Sequence, residues 1–284
     1  MSKILTVIDG SAYSASVCEH AAWIAQRAGS EVEVVHVMGR HDPSGDHANL
    51  SGSIGLGARS ALLAELSELD AQRAKLAQQR GRAILDDAQA LLEERGVGEI
   101  HVRLRHGEIV ETIKEMETNA DVLVLGKRGE AANFDTGHLG SNLERVARSS
   151  KKPLLVASRA FTPISRVLLA FDGGKSSLKA IEFFSKRTHY NDLPCHVLFV
   201  GSDTADHRRQ VEGAVATLTK GGFDATGEVV EGQPESVITE QVDTKGFDLV
   251  IMGAYGHSRI RNLIIGSTTT EMIRSCKVPV LLFR

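Results

Sequence analysis

Cysteine is scarce in this chain: Cys18, Cys195 and Cys276 stand far apart among 284 residues. They show neither metal-ligand spacing nor a disulfide framework, which fits a reducing compartment. An excess of positive charge is also lacking. With 33 Lys and Arg against 36 Asp and Glu, the net charge is -3, so nothing calls for a nucleic-acid backbone or an anionic membrane surface as partner. Apolar runs are short, and none reaches the length of about 18 residues that would cross a bilayer. The opening residues, MSKILTVIDGS, lack a basic and apolar leader pattern. The expectation from these absences is a cytoplasmic protein with no membrane span. Equally missing are a paired-carboxylate motif, an H-E-x-x-H helix and a G-x-S-x-G elbow, so no catalytic residues are assigned.

What is present begins with length and repetition. A chain of 284 residues, 42% apolar and 24% charged, exceeds one ordinary core and suits two domains. ILTVIDGSAYS (residues 4–14) lines up with VLLAFDGGKSS (167–177), and VEVVHVMG (32–39) with CHVLFVGS (195–202). ADVLVLGKRG (120–129) matches FDLVIMGAYG (247–256), and GSNLERVARSSKKPLLVAS (140–158) matches GSTTTEMIRSCKVPVLLF (266–283). Four blocks in one order make the chain two copies of one unit. The division falls near Ala160–Pro163, giving residues 1–160 and 161–284.

In the second copy, strands are expected at 166–171, 196–200, 225–231, 249–253 and 278–283. Helices are expected at 177–188, 206–221, 234–245 and 267–275. Apolar strands alternating with helices make a mostly parallel five-stranded sheet covered on both faces. The fold class is therefore α/β, with two tandem doubly wound domains and ligands expected at the carboxyl ends of the strands. The first copy is longer: Asp9 to Gly126 spans 117 residues, against 81 from Asp172 to Gly253. The surplus lies between Gly39 and Gly96, as a Gly/Ser/Asp-rich loop followed by a leucine-rich helix. It reads as an enlarged surface loop with a long covering helix, the alternative being a lid or partner-binding helix.

Gly253, Gly256, Gly266 and Ser267 carry the functional argument. Glycines after a buried strand can take positive φ and let an anion approach the backbone. Gly266-Ser267-Thr268, at the start of the last helix, offers unpaired N–H groups, the positive end of the helix dipole and two hydroxyls. Asp172, at the end of the first strand of this copy, is placed to accept from a ribose hydroxyl or an adenine amino group. The alternative for Asp172, and for its counterpart Asp9, is a turn or helix-start role. No G-x-G-x-x-G follows the first strand of either copy, and the full G-x4-G-K-[ST] of a Walker A loop is absent.

With this spacing the second copy resembles a universal stress protein domain, whose nucleotide-binding members carry G-x2-G-x9-G-[ST]. The resemblance extends over both halves and implies a tandem member with the adenine nucleotide alpha hydrolase-like fold. It implies ATP, with or without Mg2+, at Asp172, Val200, Met252, Gly253, Gly256, Gly266, Ser267 and Thr268. The same positions in the first copy are Asp9, Val37, Gly126, Gly129, Gly140 and Ser141, with ten residues rather than nine between Gly129 and Gly140. There Glu130 and Asp135 stand where the second copy has His257, Arg259 and Arg261, which disfavours a phosphate, although Lys127 and Arg128 offset this in part. The resemblance also implies dimer-like pairing of the two terminal strands within one chain, and leaves room for a homodimer. Nucleotide as a regulatory ligand in a stress response is the expected function. The alternatives are slow ATP hydrolysis and storage of a non-nucleotide apolar ligand.

Overall fold

Among the described residues, short runs of Val, Ile and Leu form ten strands, and the segments between them form eight α-helices. The computed structural model describes residues 2–39, 56–129, 141–254 and 266–284. The first half contains β1 (Lys3–Ile8), α1 (Ser14–Ala28), β2 (Glu31–Met38), α2 (Leu56–Glu94), β3 (Ile100–His106), α3 (Ile109–Met116), β4 (Val122–Gly126), α4 (Ser141–Ser149) and β5 (Leu154–Ala157). The second contains β6 (Val167–Ala170), α5 (Lys175–Ser185), β7 (Cys195–Val200), α6 (Ala205–Lys220), β8 (Ala225–Val230), α7 (Pro234–Lys245), β9 (Leu249–Gly253), α8 (Ser267–Ser275) and β10 (Val280–Phe283).

All ten strands join one sheet in the order β3-β2-β1-β4-β5-β10-β9-β6-β7-β8. Within each half every pair is parallel, as short strands linked through helices require. The halves meet where β5 and β10 pair antiparallel, Leu154 opposite Leu282 and Val156 opposite Val280. Two five-stranded units thus become one continuous sheet, and the terminal strands have no open edge.

Strand alternation divides the core into two layers. Ile4, Val34, Val124, Leu155, Leu169 and Val197 face α1, α2, α5 and α6. Leu5, Val35, Leu123, Leu168, Leu198 and Val250 face α3, α4, α7 and α8. Polar links reinforce the seam between halves. Arg27 pairs with Asp192 at 2.6 Å, Trp23 stacks on Tyr190 at 5.8 Å, and Arg284 Nη1 donates to the Arg148 carbonyl at 2.6 Å. The three thiols are buried and unpaired, and burial pushes Cys18 and Cys195 up to about 12. Among the described residues, no helix is long and apolar enough to cross a membrane.

The expected covering helix is present as α2, and among its described side chains it is the C-terminal part that reaches the core. Leu85, Ala88 and Leu92 are buried in the core beneath it. At Gly81 the helix comes so close to the sheet that a Cβ would lie 2.7 Å from Leu104 Cδ1. Residues 63–76 of the same helix are exposed on every face.

Candidate functional site

Parallel register sets the site. Ala170 of β6 lies beside Leu198 of β7 and Met252 of β9. Two residues on, Asp172, Val200 and Ala254 therefore finish at one level, on the carboxyl edge of the sheet. Met252 is buried within β9, and Gly253 pairs with Phe283. Val200 is half-buried and packs against the second core layer. Asp172, Val200, Met252, Gly253 and the start of α8 are thus brought to one edge.

Asp172 organises the turn into α5. Its Oδ1 accepts from the Gly174 N–H at 2.9 Å and from the Ser177 hydroxyl at 2.6 Å. Gly173 takes φ +71°, the left-handed value that glycine tolerates. A Cβ there would also lie 2.3 Å from Gln210 Oε1, so α6 closes over this turn. Asp172 therefore performs the turn role in addition to standing at the site edge. Gly174-Lys175-Ser176 opens α5, a fragment of a phosphate-loop signature overlooked in the sequence. Leu169 stands where the first glycine of that signature would be.

Gly253 requires a correction. Positive φ was its expected use, yet it closes β9 and is not among the positive-φ glycines. Its missing side chain serves close packing: a Cβ would lie 3.0 Å from Ser176 Cβ and 3.5 Å from the Ser177 N–H nitrogen. The glycine lets the first turn of α5 sit against the end of β9.

Gly266 is the N-cap of α8, its backbone extended at φ −56° and ψ 145°, and its carbonyl accepts from the Thr270 N–H at 2.9 Å. Ser267 is exposed and Thr268 half-buried. The first-turn N–H groups of such a helix have no intrahelical acceptor and carry the positive end of the dipole. Thr269, which the sequence reading passed over, holds this helix end in place. It is buried, and its hydroxyl donates to the Gly253 carbonyl at 3.1 Å. The signal was the run of hydroxyls Ser267–Thr270, of which only the third is fully buried. Gly256, His257, Arg259 and Arg261 lie outside the described residues.

The first half repeats the edge. Ile8 lies beside His36, and Val7 beside Leu125, so Asp9, Val37 and Lys127 finish at one level. Asp9 Oδ1 accepts from the Ser11 N–H at 3.0 Å, and Gly10 takes φ +78°. Gly126 is packed by Tyr13, whose Cβ would lie 2.9 Å from an added Cβ. Gly129 lies directly against Asp9, with 2.8 Å from a Cβ to Oδ2. Gly140, Glu130 and Asp135 lie outside the described residues, and Ser141 opens α4. Lys127, expected to offset those carboxylates, is directed elsewhere. Its Nζ donates to the Cys276 carbonyl at 2.8 Å, at the C-terminal end of α8 in the other half. Burial lowers its pKa, and the neighbouring Arg128 acts in the same direction.

Among the described residues, Glu31, Glu99 and His101 bring ligand atoms within 4.8 Å of one another. They lie at the opposite, amino end of β2 and β3, where Lys3 already pairs with Glu31 at 3.3 Å.

Comparison with known proteins agrees on one lineage. The model of the universal stress protein family matches residues 1–158 and 202–284. Universal stress protein Slr1230 of Synechocystis is 38% identical over 287 residues, covering all of both chains. A universal stress protein structure from Archaeoglobus fulgidus superposes with a TM-score of 0.74 at 20% identity, covering 99% of this chain and 98% of that one. A second, from Pseudomonas aeruginosa and described as a putative universal stress protein, gives 0.63 at 14% identity and covers 100% and 93%.

Proposed function

The chain belongs to the universal stress protein family, and from that premise we propose that it binds ATP, or another adenine nucleotide, in its second half as a regulatory ligand in a cytoplasmic stress response. The observation that carries the proposal is the convergence on one sheet edge of Asp172, the end of β7 at Val200, and the N-terminus of α8 at Gly266-Ser267. The carboxylate suits a ribose or an amino group, and the Val200 backbone suits the adenine edge. The helix N-terminus suits phosphate oxygens. Any Mg2+ would arrive with the phosphates. The second half is preferred because its counterpart has Gly129 against Asp9 and commits Lys127 to the seam. The division into residues 1–160 and 161–284 belongs to the same proposal. Binding without turnover is favoured, since among the described residues none at this edge is placed as a general base.

Equilibrium binding of ATP to the purified chain tests this. Asp172→Ala and Gly266→Val should each weaken binding at least tenfold, with Asp9→Ala as the comparison that leaves it intact. Wild-type affinity in folded forms of both second-half variants would overturn the assignment. Phosphate release abolished by Asp172→Ala would move the reading to a slow ATPase. Native mass spectrometry of the protein as purified would expose an apolar ligand instead.

A further inference from the structure

Helix α2 runs for 39 residues and lies against the sheet at Gly81. Before that point, residues 63–76 have every side chain exposed. Fourteen residues of helix span about 21 Å at 1.5 Å per residue. A solvated helix of that length is marginal by itself. Its composition is not that of a solvated surface either: Leu63 is 58% exposed, Leu66 43%, Leu69 43% and Leu76 64%. Leu62, Leu66, Leu69, Arg73 and Leu76 follow one another in steps of four, three, four and three residues, the seam of a coiled coil with one polar position.

Charge along the segment is divided. Within residues 63–76, Glu65, Glu68 and Asp70 precede the midpoint, and Arg73 and Lys75 follow it. A second copy laid parallel would face acid with acid and base with base. Laid antiparallel, each acidic half faces a basic half. We propose that the exposed part of α2 is a homodimer interface, in which two copies of this chain pair these helices antiparallel about a two-fold axis near Ala71. Leu66 then packs on Leu76 of the second copy. Leu69 packs on the aliphatic stem of Arg73, whose guanidinium reaches the acidic half opposite. The contact is isologous and closes on itself. It also answers a structural question, because the terminal-strand edge is already occupied within the chain by β5 and β10. The inference does not rest on nucleotide binding.

Light scattering and disulfide trapping test it on the full-length chain. The wild type should have twice the 30.6 kDa chain mass, and Leu66→Glu/Leu76→Glu should halve that mass with an unchanged circular dichroism spectrum. The native thiols are all buried, so an added surface cysteine is the reactive one. An equimolar mixture of Leu66→Cys and Leu76→Cys should give a linked dimer under mild oxidation. Each alone should not, since antiparallel pairing separates like positions by ten residues, about 15 Å, well beyond disulfide reach. A monomeric wild type, a dimer that survives the double glutamate variant, or self-linking of Leu66→Cys as efficient as the mixture would each overturn the proposal.

Discussion

His20 is a buried titratable group only half of whose polar atoms are satisfied among the described residues. It sits fully buried in α1, its Nδ1 2.7 Å from the Ser16 carbonyl and its ring edge-on to Phe161 at 5.0 Å. Nδ1 therefore carries the proton in the neutral ring, and Nε2 has no partner among the described residues. Burial lowers the His20 pKa below the ordinary 6.5, against smaller opposing effects of the Ser16 carbonyl and Glu19. The sign follows by linkage: the unfolded chain takes up the proton first as pH falls. Stability from the neutral ring is thus complete above about 6.5 and is lost as pH drops through the lower folded value. Denaturant unfolding at pH 7 and pH 5 should show a smaller loss in His20→Leu than in the wild type. Equal losses would show that His20 is not a source of acid sensitivity.

At the scale of elements, helix packing is set by a few glycines. Gly221 ends α6 where it crosses α5, and a Cβ there would lie 2.5 Å from the Ser185 carbonyl oxygen and 2.8 Å from its Cα. Backbone cannot swing aside as a side-chain tip can, so Gly221→Ala should force the two helices apart and cost about 1–3 kcal/mol. A thermal melt would register this as a lower midpoint. An unchanged midpoint would mean the joint relaxes freely. Much at this scale was legible in the sequence. Helices 234–245 and 267–275 were expected with the ends observed, and β9 likewise, because Pro234, Gly253 and the hydroxyl run at 267 are local signals. Other features depend on contacts that local sequence does not encode. The helix expected from residue 177 starts at 175, because Asp172 and Ser177 tie the turn into it. The packing use of Gly253, the inward hydroxyl of Thr269 and the reach of Lys127 into the other half were equally out of sight, since each is decided by an element distant in sequence.

For the whole molecule, the continuous sheet makes the two halves mechanically one body. Leu281 is buried opposite Leu155, in the antiparallel pair that joins them. Calorimetry should give one unfolding transition for the wild type, with equal calorimetric and van't Hoff enthalpies. Leu281→Asp buries an unpaired charge at the seam and should lower or split that transition. Two resolved transitions in the wild type would mean the seam does not couple the halves. The pairing of β5 with β10 has one further effect, on how the protein can change. When two identical subunits meet through this strand, every substitution lands on both sides at once, and dilution can part them. Here a mutation falls on one side only, and no concentration is low enough to separate the two. One half is free to stay as it is while the other drifts toward a different task.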